Sequence, residues 1–290
     1  MAVQPAVYGA SSRPPRGDYS TARDDYTCDQ NWAAYTAAEH ALYARLFDRQ
    51  LKRIPGRVCS EFVQALGRLG IETEIPRFED INRRLRHATG WEVVAVPGLI
   101  PEQPFFSLLA QRRFPVTVWL RKPEEFDYIV EPDVFHDLFG HVPLLFSPVF
   151  ADYMQAYGAG GLKAEGLNAL EYLSRLYWYT VEFGLIDTAE GLRVYGAGIL
   201  SSAGETVYSL EDPRPQRLAF DVTRVMRTPY RIDDFQGVYF VIDSFEQLFA
   251  ETAPDFTPIY REIAPLPPLP MERLPGERTF AANRAGQAVT

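Results

Sequence analysis

Residues 131–145 read EPDVFHDLFGHVPLL, and two of the chain's four histidines, His136 and His141, fall inside this stretch. Five positions apart, the two side chains would project about 140° apart on a straight helix, against about 40° for an i,i+4 pair. Gly140 and Pro143 flank the second histidine, and both residue types let a backbone leave the regular helix. A local break there would bring two imidazoles to one point. A metal site needs a third ligand, and without one each histidine is an ordinary core or surface residue. The candidate is Glu182, the sole charge in residues 177–186, YWYTVEFGLI. A carboxylate in such company is costly to bury unless a metal, a cation or good donors accept it. A solvent-facing helix edge, or pairing with Arg175 or Arg193, would answer that demand as well as a metal. Two imidazoles and one carboxylate would leave half of an octahedral shell open, the arrangement that suits Fe(II) oxygenases.

The rest of the chain frames this stretch as one mainly α domain of many helices with a few short β-ribbons. Apolar residues at helical spacing predict helices over 32–51, 61–69, 78–86, 105–113, 148–157, 167–183 and 245–252. Runs rich in β-branched residues predict strands at 93–96, 116–120 and 238–242. After Tyr260 the prolines at 265, 267, 268 and 270 exclude a helix and imply an extended path. Residues 1–25 and 277–290 lack apolar periodicity and read as flexible tails around a domain at 26–276. A net charge of -9 argues against nucleic acid and anionic membrane as partners. No run is apolar for long enough to span a bilayer, and no secretory signal opens the chain, so the cytoplasm is expected. Cys28 and Cys59 are too few for a disulfide scaffold and read as reduced structural thiols.

Three motifs in this order, EPDVFHDLFGHVPLL, YWYTVEFGL and, over 195–205, YGAGILSSAGE, resemble the catalytic domain of the pterin-dependent aromatic amino acid hydroxylases. The likeness covers roughly residues 30–270 and is closest to the short, phenylalanine-acting bacterial members. It implies a single catalytic domain with Fe(II), tetrahydrobiopterin and dioxygen, in which His136, His141 and Glu182 match the iron ligands. It further implies a pterin loop over 96–105, VPGLIPEQPF, where Gly98, Leu99 and Ile100 offer backbone groups and Phe105 stacks on the ring, with Asp137 and Tyr177 as further pterin contacts. Arg121 matches the arginine that receives the substrate carboxylate, although by itself it reads as a solvated strand-end cation. Tyr128, Trp178 and Ser201 match positions around the substrate, and Glu205 resembles an acid near its pocket that a helix-turn pairing would explain equally well. Ile232, in PYRIDDF, suits a ring without a hydroxyl, so phenylalanine is expected over tyrosine or tryptophan. A regulatory domain and a coiled-coil helix are both missing, which implies a monomer. The competing readings are a zinc hydrolase with Asp137 or Glu205 as base, a 2-oxoglutarate oxygenase, and a binding module without activity. The second conflicts with Leu138, which stands where His-x-Asp/Glu needs an acid.

Overall fold

The structure, a computed structural model, describes residues 15–232 and 234–283. Among these residues no helix is long and apolar enough to cross a membrane. The first helix, α1 (Ala37–Leu51), begins at a capping box in which Thr36 and Glu39 satisfy each other's backbone N–H groups. This cap splits the helix expected over 32–51, and Trp32–Ala34 form a separate 3-10 turn. Left-handed glycines, Gly70 and Gly90, terminate α2 (Ser60–Leu69) and α3 (Phe78–Thr89). The strand β1 (Glu92–Val96) pairs in parallel with β2 (Arg113–Thr117) across α4 (Glu102–Ala110). Arg112 takes a left-handed conformation, φ 59°. That ends α4 abruptly and starts β2 three residues before the expected 116.

The longest helix, α5 (Pro148–Gly166), runs well past the expected end at 157. Its glycines discourage helix by propensity, and tertiary packing overrides them. A Cβ on Gly158 would lie 2.4 Å from Ala110 N and one on Gly161 would lie 2.1 Å from the Phe106 ring, so these glycines let α4 pack close. Next come α6 (Leu170–Tyr177), β3 (Leu185–Thr188), β4 (Gly191–Val194), α7 (Ala197–Ser201) and α8 (Glu205–Glu211). The chain continues through β5 (Gln216–Ala219), α9 (Val222–Met226), β6 (Val238–Ile242), α10 (Phe245–Thr252) and α11 (Thr257–Ile263). A four-stranded sheet runs β4-β3-β6-β5, with only the β3–β4 pair antiparallel. Of its strands only β6, buried at every position, was legible. The other three are four residues long and each carries a charged residue, too short for an alternation to register.

The mainly α architecture with small sheets stands, and three local expectations change. The helix expected over 167–183 is α6 followed by a π-helical turn. The helix α11 continues past Tyr260 to Ile263 and ends two residues before Pro265, because a proline constrains only itself and its predecessor. The parts of the tails that the structure describes are packed. Residues 16–19 bond to Leu99, Glu125 and Glu131, while Phe280 N–H donates to Arg217 O and Asn283 N–H to Leu210 O. Their backbone groups find partners that composition alone does not reveal. The flexibility expected of 1–14 and 284–290 lies outside the described residues.

The segment carrying both histidines is anchored in the core by its own aromatic residues. Phe139 meets Phe47 and Phe62 edge-on and stacks with Phe135, each ring fully buried. Such pairs contribute about 0.5–1.5 kcal/mol each beyond burial, so the ligand-bearing turn is held on its inner side.

Candidate active site

Both ligand-bearing segments are π-helical. His136–His141 closes with Val142 N–H donating to Asp137 O at 3.3 Å, and Trp178–Glu182 closes with Phe183 N–H donating to Trp178 O at 2.8 Å. The wider i→i+5 turn aligns residues five apart, which a regular helix cannot do. The expected break between the histidines therefore takes the form of a π turn. Gly140 contributes close approach, since a Cβ there would lie 2.8 Å from Ala197 O and 2.9 Å from Ala197 Cβ. That contact seats α7 on the turn.

The two Nε2 atoms lie 3.2 Å apart. Glu182 Oε1 lies 3.1 Å from His141 Nε2, and Oε2 lies 3.7 Å from His136 Nε2. One ligand atom from each of the three residues falls within 4.8 Å of the others, the only such His/Cys/Asp/Glu group among the described residues. A first-row divalent ion with bonds of about 2.1 Å places cis donors about 3.0 Å apart. The observed spacing fits such an ion, and the nitrogen and oxygen donors suit ferrous iron.

Electrostatics favour the ligating forms of His136 and Glu182, whereas at His141 the neighbouring carboxylate favours the protonated ring that a metal ion would have to displace. Burial drives His136 down to about 4 against the pull of Glu182, so its imidazole is neutral near pH 7. Its Nδ1 lies 2.8 Å from Ser201 Oγ. A proton on Nδ1 shared with that hydroxyl leaves the Nε2 lone pair for a metal. Burial opposes a charged His141, but the adjoining Glu182 carboxylate prevails and raises its pKa. Burial likewise opposes an ionised Glu182, yet the two histidines hold its pKa below the usual range. Asp137 is the contrary case, since burial lifts it to about 7 although its carboxylate accepts the Thr117 N–H at 2.7 Å.

The triad lines a cavity of about 250 Å³ that brings together the candidate iron, pterin and substrate residues named from the sequence. One wall holds Gly98, Leu99, Ile100 and Phe105, with Asp137 and Tyr177 also lining the space. Tyr177 stacks over His141 at 6.3 Å and meets Phe105 edge-on at 5.8 Å. Arg121, Tyr128, Trp178, Ser201 and Ile232 line the same cavity. Trp178 stacks on Tyr230 at 4.2 Å and 16°. Tyr128 and Ile232 are the exposed members of this set, at 51% and 37%.

Arg121 is not a solvated strand-end cation. It is buried, with Nε and Nη2 bonded to the Asp133 carboxylate at 2.8 and 2.9 Å. Its Nη1 has no hydrogen-bond partner among the described residues. Asp133 also accepts the backbone N–H groups of Arg121 and His136, both at 2.9 Å, so one carboxylate orients the cation and the first histidine together. Sequence reasoning passed over Asp133. The available signal was an acid directly before a helical segment, where a carboxylate accepts an orphan N–H, here that of His136 three residues on. Glu205 forms no local helix-turn pair. It is buried at the cavity edge, where its Oε1 accepts Tyr239 OH at 2.6 Å and Gln236 N–H at 3.2 Å, and burial raises it to about 7.

Comparison with known proteins agrees with this geometry. The family model described as biopterin-dependent aromatic amino acid hydroxylase matches residues 18–258. A phenylalanine-4-hydroxylase of Ralstonia nicotianae is 60% identical over 251 residues, covering 86% of this chain and 80% of that protein. The iron- and phenylalanine-bound crystal structure of the Chromobacterium violaceum phenylalanine hydroxylase superposes with a TM-score of 0.86 at 54% identity, covering 91% of this chain and 96% of that one. The structure of the same enzyme with iron(III) and oxidised 7,8-dihydrobiopterin has a TM-score of 0.86 at 54% identity and covers 89% and 93% of the two chains.

Proposed function

The chain belongs to the biopterin-dependent aromatic amino acid hydroxylases, and from that premise we propose how its residues convert L-phenylalanine to L-tyrosine with non-haem iron, tetrahydrobiopterin and dioxygen. The observation that carries the proposal is the convergence of His136, His141 and Glu182 within 4.8 Å at the wall of one cavity. Bound ferrous iron and reduced pterin supply the activation of dioxygen that no side chain of the protein can perform. The protein's part is to hold, orient and exclude.

His136, His141 and Glu182 would hold the metal through Nε2, Nε2 and a carboxylate oxygen, a ligand set that suits ferrous iron. Ser201 fixes the His136 ring through Nδ1. Arg121, braced by Asp133, presents Nη1 to the amino acid carboxylate. A guanidinium whose other nitrogens are already fixed gives up little freedom on binding. Trp178, itself held by Tyr230, forms a flat wall for the phenyl ring, with Tyr128 and Ile232 at the mouth. Gly98, Leu99 and Ile100 offer peptide groups to the pterin, and Phe105 offers a ring face. Asp137, whose carboxyl burial lifts to about 7, and Tyr177 complete that side. The apolar lining keeps water from the reacting atoms once both substrates are in place.

We further assign the working form to a monomer in the cytoplasm. Exposed large apolar side chains such as Leu51, Val63 and Leu162 sit on different helices, and Cys28 and Cys59 are buried and unpaired, as in a reducing compartment. Sedimentation of the purified protein tests the first point, and fractionation of the native cell tests the second. Anaerobic loading with Fe(II), then addition of tetrahydropterin, oxygen and phenylalanine, tests the chemistry. Tyrosine is the expected product. Faster formation of a hydroxytryptophan from tryptophan would overturn the substrate, and no product from any aromatic amino acid would overturn the function.

A further inference from the structure

Residues 16–19 take no part in the chemistry assigned above, yet they touch both halves of the cavity. On the pterin side, Tyr19 OH donates to Leu99 O at 2.7 Å. Gly17 has φ +106° and a Cβ there would lie 1.9 Å from Pro97 O, so only glycine lets the strap lie flat on that peptide. Gly98 reciprocates, since a Cβ on it would lie 2.4 Å from Arg16 O. On the amino acid side, Arg16 N–H reaches both Glu131 oxygens at 3.0 and 3.1 Å, and its Nη1 pairs with Glu125 Oε1 at 2.7 Å. The guanidinium also covers the Trp119 ring at 4.2 Å, two residues before Arg121. Leu99, Tyr128 and Glu131 all line the cavity.

We infer that residues 16–19 form a strap that sets the peptide groups of the pterin loop and couples pterin binding to amino acid binding, with Tyr19 and Arg16 as its positioning residues. The C=O and N–H of a trans peptide point in opposite directions. By holding the Leu99 carbonyl, Tyr19 therefore turns the Ile100 N–H to the side away from the strap. Arg16 joins that fixed loop to the 123–131 segment, so ordering one side lowers the cost of ordering the other. Linkage makes the effect reciprocal.

The inference rests on the pterin reading of residues 98–100, and the test separates the two. Calorimetric titrations of the iron-loaded full chain use 7,8-dihydrobiopterin with and without saturating L-phenylalanine, and L-phenylalanine alone. Failure of the wild type to bind dihydrobiopterin overturns the pterin reading. Wild-type binding that phenylalanine does not alter overturns the coupling. In Tyr19→Phe, dihydrobiopterin is expected to bind roughly three- to tenfold more weakly, the loss of one hydrogen bond, with phenylalanine alone unchanged. In Arg16→Ala, the factor by which phenylalanine alters dihydrobiopterin affinity is expected to fall towards one. Arg16→Lys keeps a cation beside Glu125 and serves if the alanine variant does not fold. Variants that melt earlier but keep wild-type affinities and coupling would make the strap a stability element alone and overturn the proposal.

Discussion

Replacing Asp133 by alanine probes the site at the residue on which two others depend. Asp133 is 0% exposed and accepts four hydrogen bonds, from Nε, Nη2 and the backbone N–H of Arg121 and from the backbone N–H of His136. Alanine leaves a guanidinium that is 3% exposed without a counter-ion and leaves two N–H groups without acceptors. Breaking a buried ion pair from one side costs about 3–5 kcal/mol, and each orphaned buried donor costs about 1–3 kcal/mol more. Water entering from the adjoining cavity offsets part of this, so a net loss of about 4 kcal/mol is expected, a large share of the roughly 5–15 kcal/mol that holds a domain together. Asp133→Asn keeps the shape and one acceptor oxygen but loses the charge, and should cost about half as much. Urea unfolding of the metal-free protein measures both. The double replacement Arg121→Met with Asp133→Leu removes the charges together and should recover most of the stability, while phenylalanine binding stays lost because no cation remains for its carboxylate. An Asp133→Ala protein within about 1 kcal/mol of wild type, or a double variant that binds phenylalanine normally, would refute this account of the Arg121 anchor.

Ser201→Ala removes the hydroxyl that orients His136 and should weaken iron about 10- to 100-fold, read by competition with a chelator, with threonine restoring much of the loss. Gly140→Ala places a methyl 2.8 Å from Ala197 O and should destabilise by about 1–3 kcal/mol, again by urea unfolding; an unchanged midpoint would mean that α7 does not rest on the π turn as described. Glu205 is raised from 4.5 to about 7 by burial, so across that interval the folded protein keeps a proton that the unfolded chain releases. Wild-type stability therefore falls as pH rises through the interval. Glu205→Gln has no such proton and keeps an acceptor for Tyr239 and Gln236, so its stability relative to wild type should climb between pH 4.5 and 7, by up to about 3 kcal/mol at about 1.4 per pKa unit, and then level off. A difference that does not vary with pH would show that Glu205 titrates normally.

Much of this protein was open to reading in one dimension. Residue chemistry and order made His136, His141 and Glu182 a triad, because donor type travels with the amino acid and three motifs in fixed order are hard to mistake. The long amphipathic segments, α1 and α2 among them, were legible because burial of one face imposes a period of about 3.6. Other features depend on neighbours far along the chain. The π turn between the histidines closes on a hydrogen bond that spacing suggests but cannot specify. The glycine-rich end of α5 is helical only because α4 packs against it. Strands of four residues carry too little pattern to declare themselves, and Asp133 and Glu205 acquire their roles only when Arg121 and Tyr239 fold onto them. The tails show the same division most clearly. Their composition correctly reported a lack of apolar periodicity, but whether a polar segment is loose or pinned depends on the partners waiting for its backbone groups, and those partners are set by the tertiary fold.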